Sequence, residues 1–581
     1  MNGLQAGLAT YLGVHLMART VSIGAQGFEE LRKIDCFYVD KTAFIAEWWN
    51  SADVSTLICR PRRFGKTLLL DTVRCFFSTE FAERGEELFA DLAVWQDLKL
   101  REVQGSVPVI FISFAAVKEQ NYKDALTRIK RLLVDEVVRH SYLQRSVNVS
   151  DSRKDFFAHV SDSMDNSHAA DVLNQLTQAL LEHHGISPIV LLDEYDTPMQ
   201  EAWLGGFWDE MAAFMRSFMN STFKTNPSLG RGLMTGITRV SRESIFSDLN
   251  NLNVCGVTAE KYTTSFGFTQ QEVDAALVEF GMQEKRDKVQ EWYDGFCFGD
   301  IEGIYNPWSI TKYLDTKKFE PHWMNTSGNA LAADVVRTGE DDIKKDFEIL
   351  LSGGCVSQVI DEQIIFSELG SSSSAAWSLL LSSGYLTTTA EAPEQFDDPR
   401  LLRLTNLEVR LSFEKLIKRW FYRAGSARYD SFVHSILTGN EEDATDYLND
   451  ITMSCMSAFD GATHTAESEP ERFYHGLVLG LLASLRGRYT VESNRESGRG
   501  RYDIMLVPTK DAQVKDTPII IEFKVFDPRR ESTLEDTASR ALAQIEERAY
   551  ATTLIERGFS AEHILSYGIA FRGKESLVVC R

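Results

Sequence analysis

Two groups of residues in this 581-residue chain have the types and spacing for phosphate chemistry. The first lies in ICRPRRFGKTLLLDTVRCFF, Ile58 to Phe77, where Gly65-Lys66-Thr67 opens an apolar helix after the short strand Thr56-Leu57-Ile58. A strand-to-helix loop of this kind presents backbone N–H groups to a polyphosphate, its lysine reaches the outer phosphates, and its hydroxyl holds Mg²⁺. Arg62, Arg63, Phe64, Gly65, Lys66, Thr67 and Leu68 are the expected contacts. Arg60 stands where GxxxxGK[ST] begins with glycine; Arg60-Pro61 stiffens the turn, and Arg60, Arg62 and Arg63 add positive charge. By itself the motif leaves a chance Gly-Lys-Thr at a helix start open. A second element supports it: in Ile189-Val190-Leu191-Leu192-Asp193-Glu194 an apolar strand ends in two acids. Asp193 is placed to hold the metal with Thr67, and Glu194 to polarise the attacking water. The alternative for IVLLDE is a solvent-capped strand end.

The second group lies near the C-terminus. In Ile519-Ile520-Ile521-Glu522-Phe523-Lys524 the alternation of a strand puts Glu522 and Lys524 on one face of an otherwise apolar segment. Asp503, in the short strand Tyr502 to Val507, completes a D-x18-E-x-K pattern. Two carboxylates converging with a lysine can bind Mg²⁺, activate a water and stabilise the extra charge of a phosphorane-like transition state. A structural ion pair is the alternative. Arg486, Arg488, Arg495, Arg499 and Arg501 crowd the approach to Asp503, and Arg529-Arg530 follow the strand. Such a patch suits a phosphate backbone; arginines paired with Glu492 and Glu496 on a solvated loop would look the same.

These side chains need elements to hold them. Thr56 to Cys59, Val107 to Ser113, Ile189 to Leu192 and Gly232 to Thr238 read as buried parallel strands between amphipathic helices. That order predicts a doubly wound α/β sheet with its chemistry at the carboxyl ends of the strands. From about residue 260 to 425 the pattern is mostly helical, broken at Tyr305-Asn306-Pro307 and at Ser371 to Ser374, which reads as an exposed loop. Trp377 to Phe421 reads helix, strand, strand, helix, as a winged-helix-like module would. An acidic stretch around Glu441 to Asp450 and then HTAESEPERF mark a boundary before the last domain, which reads helix, hairpin, central strand, helix.

The length predicts several domains. Hydrophobic residues at 44% and charged ones at 25% describe a globular chain rather than a disordered or membrane one. The 61 basic and 84 acidic residues, net −23, exclude indiscriminate binding of polyanions over the whole surface. Eight scattered cysteines without CxxC pairs fit a reducing cytoplasm. The first basic residue is Arg19, so the N-terminus lacks the positive region of a signal peptide and reads as a short leader helix. No run reaches the ~18 to 20 apolar residues that span a bilayer, and no membrane association is expected.

The set FYVDKT (Phe37 to Thr42), RPRRFGKT (Arg60 to Thr67), LLDEYDTPM (Leu191 to Met199), TGITRVSRESIFSDLNNL (Thr235 to Leu252), YDGF (Tyr293 to Phe296) and YNPWS (Tyr305 to Ser309) resembles the AAA-ATPase-like family of bacterial proteins. RPRRFGK is the loop that family uses. The resemblance implies ATP as ligand and Arg239 as the arginine that senses the γ-phosphate, with Arg242 a weaker candidate. It gives Tyr38 and Asp40 no chemical role, and a structural one is expected. ESGRGRYDI and IIIEFKV resemble the PD-(D/E)xK nuclease superfamily, which implies Asp503 and Glu522 as metal ligands, Lys524 as the catalytic lysine and Glu471 as a further acid toward the metal. Gln544 matches a supporting position, but Tyr550 is six residues beyond it where the family variant has four, which puts a shared role in doubt.

The expected fold class is therefore α/β: a P-loop NTPase-type doubly wound sheet, a helical and winged-helix-like middle, and a C-terminal α/β/α nuclease-like domain. The expected divisions are a leader (1–21), the ATPase-like domain (22–258), a helical lid (259–335), a winged-helix-like domain (336–430), a helical linker (431–464) and the nuclease-like domain (465–581). The leading expectation is an ATP- and Mg²⁺-binding nuclease of the cytoplasm that acts on nucleic acid, DNA ahead of RNA. A homo-oligomer is expected where an arginine completes a neighbour's site. Two alternatives remain: a signalling or scaffold ATPase whose nuclease-like fold only binds nucleic acid or protein, and a nuclease whose nucleotide domain senses ATP with negligible hydrolysis.

Overall fold

The structure, a computed structural model, describes residues 19–25, 27–240, 251–323, 346, 349–351, 353–364, 373–389, 398–413, 426–456, 478, 481–482, 485, 488–493, 496–497, 500–509, 516–572 and 575–581. Two compact units divide it, one built from residues 1–339 and 355–409, the other from 340–354 and 410–581.

The centre of the first unit is a parallel sheet of β1 (Ser55–Cys59), β2 (Val109–Ser113), β3 (Ile189–Asp193), β4 (Arg231–Gly236) and β6 (Leu252–Cys255), in the order β2-β3-β4-β1-β6. The four strands expected from their apolar runs are present; β6 was not anticipated, because LNVC is short and its first three residues are only half-buried. Every residue of β1 and β3 is buried, as strands covered on both faces must be. The helix Tyr122–Arg139 turns Ala125, Leu126, Ile129 and Leu133 inward along one stripe. Its last turn also protects the sheet edge: Glu136 accepts the Phe111 N–H (3.0 Å) and Arg139 donates to the Val109 carbonyl (2.8 Å). Those are β2 groups that an exposed edge would offer to another chain. Helix Asn166–His184, which leads into β3, stops at Gly185 in the left-handed conformation (φ 71°).

Beyond this sheet, β7 (Phe268–Thr269), β8 (Phe296–Phe298) and β9 (Ile301–Tyr305) form a small antiparallel sheet, followed by the helix Pro307–Thr316. Then come β10 (Val356–Gln358), β11 (Gln363–Ile364), the helix Ser373–Ser382, β12 (Leu386–Thr388) and β13 (Arg400–Leu404). β13 pairs antiparallel with both β10 and β12 in a three-stranded sheet, and the helix, β12 and β13 follow the helix-strand-strand order expected. Ser373 and Ser374 open the helix rather than lying in a loop; the rest of the serine run lies outside the described residues. β11 pairs in parallel with β5 (Arg239–Val240), so the strand carrying Arg239 has a partner more than a hundred residues away in sequence.

The second unit is a mixed sheet in the order β14-β17-β18-β19-β20, of β14 (Tyr489–Ser493), β17 (Ile504–Pro508), β18 (Ile519–Val525), β19 (Leu565–Arg572) and β20 (Glu575–Cys580); β15 (Glu496–Ser497) and β16 (Gly500–Arg501) form a short hairpin. β18 and β19 run parallel, joined across the helix Leu534–Glu547, which starts in a Thr533/Asp536 capping box. Strand alternation divides β18 between two cores. Ile519, Ile521 and Phe523 pack with Phe432, Ile436, Ala444 and Leu448, while Ile520 packs with Leu542 and Ile545 of the 534–547 helix. The segment expected as a helical linker thus supplies two helices, Ser426–Thr438 and Glu441–Met456, to the same core as the sheet.

Candidate functional site

In the first unit the loop between β1 and the helix Lys66–Phe77 turns on two left-handed residues, Arg63 (φ 65°) and Gly65 (φ 80°). Arg60 does not add charge to this loop, as its sequence position suggested. Its side chain is fully buried and donates to the carbonyls of Cys59 (2.9 Å), Cys255 (3.1 Å) and Gly256 (2.6 Å), and more loosely to Tyr262 (3.3 Å). The guanidinium lies 4.6 Å from the Phe298 ring centre. Burial pushes its pKa down to about 10. The residue in the glycine's place therefore fastens the loop to the end of β6. Phe64 is buried edge-on against Phe296 and Phe298, so only its main chain is available to a ligand; Leu68 is half-buried and Arg63 exposed.

Lys66 is buried, and its ammonium donates to the carbonyls of Arg60 (2.9 Å) and Pro61 (2.8 Å). Burial lowers its pKa, against the nearby charges of Glu194, Asp196 and Asp193. The Thr67 hydroxyl donates to Asp193 Oδ2 at 2.8 Å, which brings helix start and strand end together as expected. Asp193 also accepts from Ser113 (3.0 Å) and Thr235 (2.8 Å), and burial raises its pKa. Glu194 follows in a left-handed conformation (φ 49°), where few non-glycine residues sit; its carboxylate accepts from the Thr197 hydroxyl at 3.2 Å. Hard oxygen donors on Thr67 and Asp193 within one hydrogen bond of each other fit a magnesium ion.

Arg239 is half-buried at the start of β5, and its Nε is buried with no hydrogen bond. Arg242 lies outside the described residues. Residues that sequence reasoning left without a role hold Arg62: its carbonyl accepts from Asn306 Nδ2 and from the Trp323 indole, both at 3.1 Å, and its guanidinium donates to Gln200 (3.2 Å). Asn306 also caps the helix Pro307–Thr316 by accepting from Trp308 and Ser309. The Asn-Pro pair was the available signal, since it marks a helix start. Trp308 itself lies 4.4 Å from the Arg63 guanidinium. Asp40 accepts from the Thr42 N–H and hydroxyl and from the Ala93 N–H, which ties FYVDKT to the 91–96 segment rather than to chemistry.

In the second unit β17 and β18 pair Ile504 with Ile521, so Asp503, just before β17, stands opposite Glu522. The Asp503 carboxylate accepts the Phe523 N–H (2.8 Å), and Lys524 Nζ donates to Glu522 Oε1 (3.2 Å). Asp503, Glu522 and Lys524 thus meet. Glu522 is almost fully buried, and burial raises its pKa, helped by Asp503 and opposed by Lys524. Its Oε1 also accepts from Gln544, while Oε2 is buried with no hydrogen bond. An orphaned carboxylate oxygen beside a second carboxylate fits a divalent cation. Among the described residues no group of three or more His, Cys, Asp or Glu side chains could hold a metal, and Glu471 lies outside them.

The six-residue spacing does not keep Tyr550 from Gln544. The helix ends at Glu547, Ala549 turns left-handed (φ 54°), and Gln544 Nε2 donates to the Tyr550 hydroxyl at 3.1 Å. The structure describes only part of the expected arginine patch. Arg488 pairs with Asp516, and Arg529 and Arg530 are exposed; Arg486, Arg495 and Arg499 lie outside the described residues. Glu492, expected beside the hairpin arginines, is buried and accepts from Tyr502 (2.9 Å) and Arg557 (3.0 Å).

A parallel sheet with a Gly-Lys-Thr loop, and a mixed sheet with converging Asp, Glu and Lys, define an ATPase-like fold followed by a nuclease-type fold. Residues 22–246 match the family described as predicted AAA-ATPase, and residues 469–580 match the PD-(D/E)XK nuclease superfamily. The chain carries both domains. A curated relative from Azotobacter chroococcum mcd 1, an uncharacterized protein in the vnfD 5' region, is 25% identical over 574 residues, covering 97% of this chain and 98% of its own length. Among the described residues no helix is long and apolar enough to cross a membrane.

Proposed function

We propose that this protein is a nucleotide-regulated, magnesium-dependent nuclease of the cytoplasm that cleaves phosphodiesters in nucleic acid, with DNA the leading candidate substrate ahead of RNA. The observation that carries the reading is the meeting of Asp503, Glu522 and Lys524 around a buried carboxylate oxygen without a partner. When bound, a divalent cation there supplies Lewis acidity toward the phosphodiester. Asp503 and Glu522 hold it, and Glu471 is the further acid of the proposal. Gln544 fixes Glu522 Oε1 and leaves Oε2 for the metal. Lys524 places its ammonium where negative charge builds on the phosphoryl group.

In the first unit, Lys66 and the loop N–H groups bind the ATP phosphates, and Thr67 and Asp193 hold magnesium. Glu194 orients the attacking water, and Arg239 answers the γ-phosphate. Arg62 and Arg63 lie beside the same phosphates. ATP sets the conformation or the homo-oligomeric assembly of this unit, and through it the cutting. The seven cysteines whose side chains the structure describes are free, in keeping with a reducing compartment.

The test is to incubate purified protein with plasmid, linear DNA and RNA, with Mg²⁺ or Mn²⁺, with and without ATP, beside Lys524→Ala and Lys66→Ala. Cutting that needs metal and is lost in Lys524→Ala is expected, with its ATP response lost in Lys66→Ala. A wild type that cuts nothing, or a Lys524→Ala protein that cuts equally well, removes the nuclease reading.

A further inference from the structure

Asp196 lies two residues past Glu194, is 1% exposed, and has no part in the chemistry assigned above. A buried carboxylate is costly unless it is fully hydrogen-bonded, so its partners show what it is for. One oxygen, Oδ2, accepts from the N–H of Ile237 (2.9 Å), the N–H and hydroxyl of Thr238 (3.0 and 3.2 Å) and Gln200 Nε2 (2.9 Å). The other end of Gln200 accepts from Arg62. Tyr195 reinforces the turn by donating to the Thr238 carbonyl at 2.7 Å. The approach is close enough to require a glycine at 236: a Cβ there would lie 2.8 Å from Asp196 Oδ1 and 2.7 Å from the Tyr195 ring.

The partners of Asp196 therefore come from two places. On one side is the turn 237–238, which delivers Arg239; on the other, through Gln200, is Arg62 of the phosphate loop. We propose that Asp196 is a positioning residue, which holds the Arg239 turn in register with the Arg62 loop so that both arginines face one nucleotide. The inference rests on the reading of this unit as an ATPase. Asp196 touches no nucleotide and acts through hydrogen bonds, so a neutral acceptor of the same length serves nearly as well. A metal-binding carboxylate would not tolerate that exchange.

The experiment measures ATP hydrolysis by the full-length protein. Asp196→Ala is expected to lower kcat about tenfold or more while changing KM for ATP less than about threefold, as loss of orientation does. Asp196→Asn should recover kcat to within about threefold of the wild type. Added to Arg239→Ala, Asp196→Ala should cost less than about threefold more, because the two act as one unit. An unchanged kcat, full additivity with Arg239→Ala, or an Asp196→Asn protein as slow as Asp196→Ala overturns the proposal. Should Asp196→Ala fail to fold, Gln200→Met cuts only the Arg62 arm. It should lower kcat about threefold or more in the wild type but not on top of Arg62→Met, and a wild-type kcat overturns the proposal. A wild type that turns over ATP while Asp196→Ala matches it removes Asp196 alone and leaves the site. Binding without turnover also overturns the positioning role and keeps the binding site, whereas no binding by calorimetry ends both.

Discussion

Asn449 stands in for a neighbouring strand at Ser576: its side-chain amide donates to the Ser576 carbonyl (3.0 Å), and its carbonyl oxygen accepts the Ser576 N–H (2.6 Å). Thr445 accepts the Val578 N–H (3.0 Å) and Glu441 the Cys580 N–H (2.8 Å). Four residues of helix advance ~6 Å and two residues of strand ~6.7 Å, so side chains at every fourth helix position keep step with alternate residues of β20. The polar helix 441–456 thereby closes an edge strand that would otherwise present free N–H groups.

Asn449→Ala should lower unfolding stability by about 1 to 3 kcal/mol, the cost of leaving the Ser576 N–H and carbonyl without partners. The midpoint of urea denaturation checks it. Replacing Glu441, Thr445 and Asn449 together by alanine should also promote association, measured by sedimentation, because the uncovered edge can pair with another chain.

Glu408 predicts a pH dependence. It is 1% exposed, its carboxylate accepts from the Ser309 hydroxyl (2.7 Å) and the Trp323 N–H, and burial pushes its pKa up to about 7. An acid with a raised pKa binds more protons folded than unfolded between its ordinary value and the raised one, so stability is full below that window and falls as pH rises through it. Between pH ~4.5 and ~7 the loss should be about 2 to 4 kcal/mol. Thermal melting followed by tryptophan fluorescence should show Tm falling with pH across this window. Glu408→Gln should flatten the slope.

Much of this was legible because the chemistry sits where local pattern is strongest. Apolar runs ending in Asp193 and Glu522 identified both central strands, and alternation alone put Glu522 and Lys524 on one face. Long-range geometry was not legible. Nothing local in Arg60 shows that its side chain reaches carbonyls some two hundred residues away, and nothing in Asn306 shows that it reaches Arg62. The Gln544–Tyr550 contact was not legible because a count of residues assumes a continuing helix, and the left-handed Ala549 breaks that assumption. The 431–464 segment read as a linker because its exposed face is acidic, while Phe432, Ile436, Ala444 and Leu448 are spaced for burial.

The metal site makes its own prediction. Mn²⁺ should raise the Tm of the wild type, and chelation should reverse the rise, since a ligand of the folded state stabilises by mass action. Glu522→Gln should weaken Mn²⁺ binding by about tenfold or more, measured by calorimetry, because it removes an anionic ligand. Gln544→Leu leaves both carboxylates in place and removes the donor to Glu522 Oε1, so a smaller loss, about threefold to tenfold, is expected. Equal Mn²⁺ affinity in the wild type and Glu522→Gln would place the cation elsewhere.

Arg60 supplies the strictest test of the loop. If glycine is the better residue at the head of a phosphate loop, Arg60→Gly should improve nucleotide binding. The buried guanidinium gives the opposite expectation. It bonds the carbonyls of Cys59, Cys255 and Gly256, and its loss leaves buried acceptors and a cavity beside Phe298. Arg60→Gly should therefore destabilise the protein by about 3 to 5 kcal/mol and weaken ATP binding with it. Arg60→Lys, with one point charge in place of a forked donor, should recover only part of the loss. Denaturant midpoints and ATP titrations on the two variants decide it, and an Arg60→Gly protein as stable as the wild type would reduce Arg60 to a tolerated substitution.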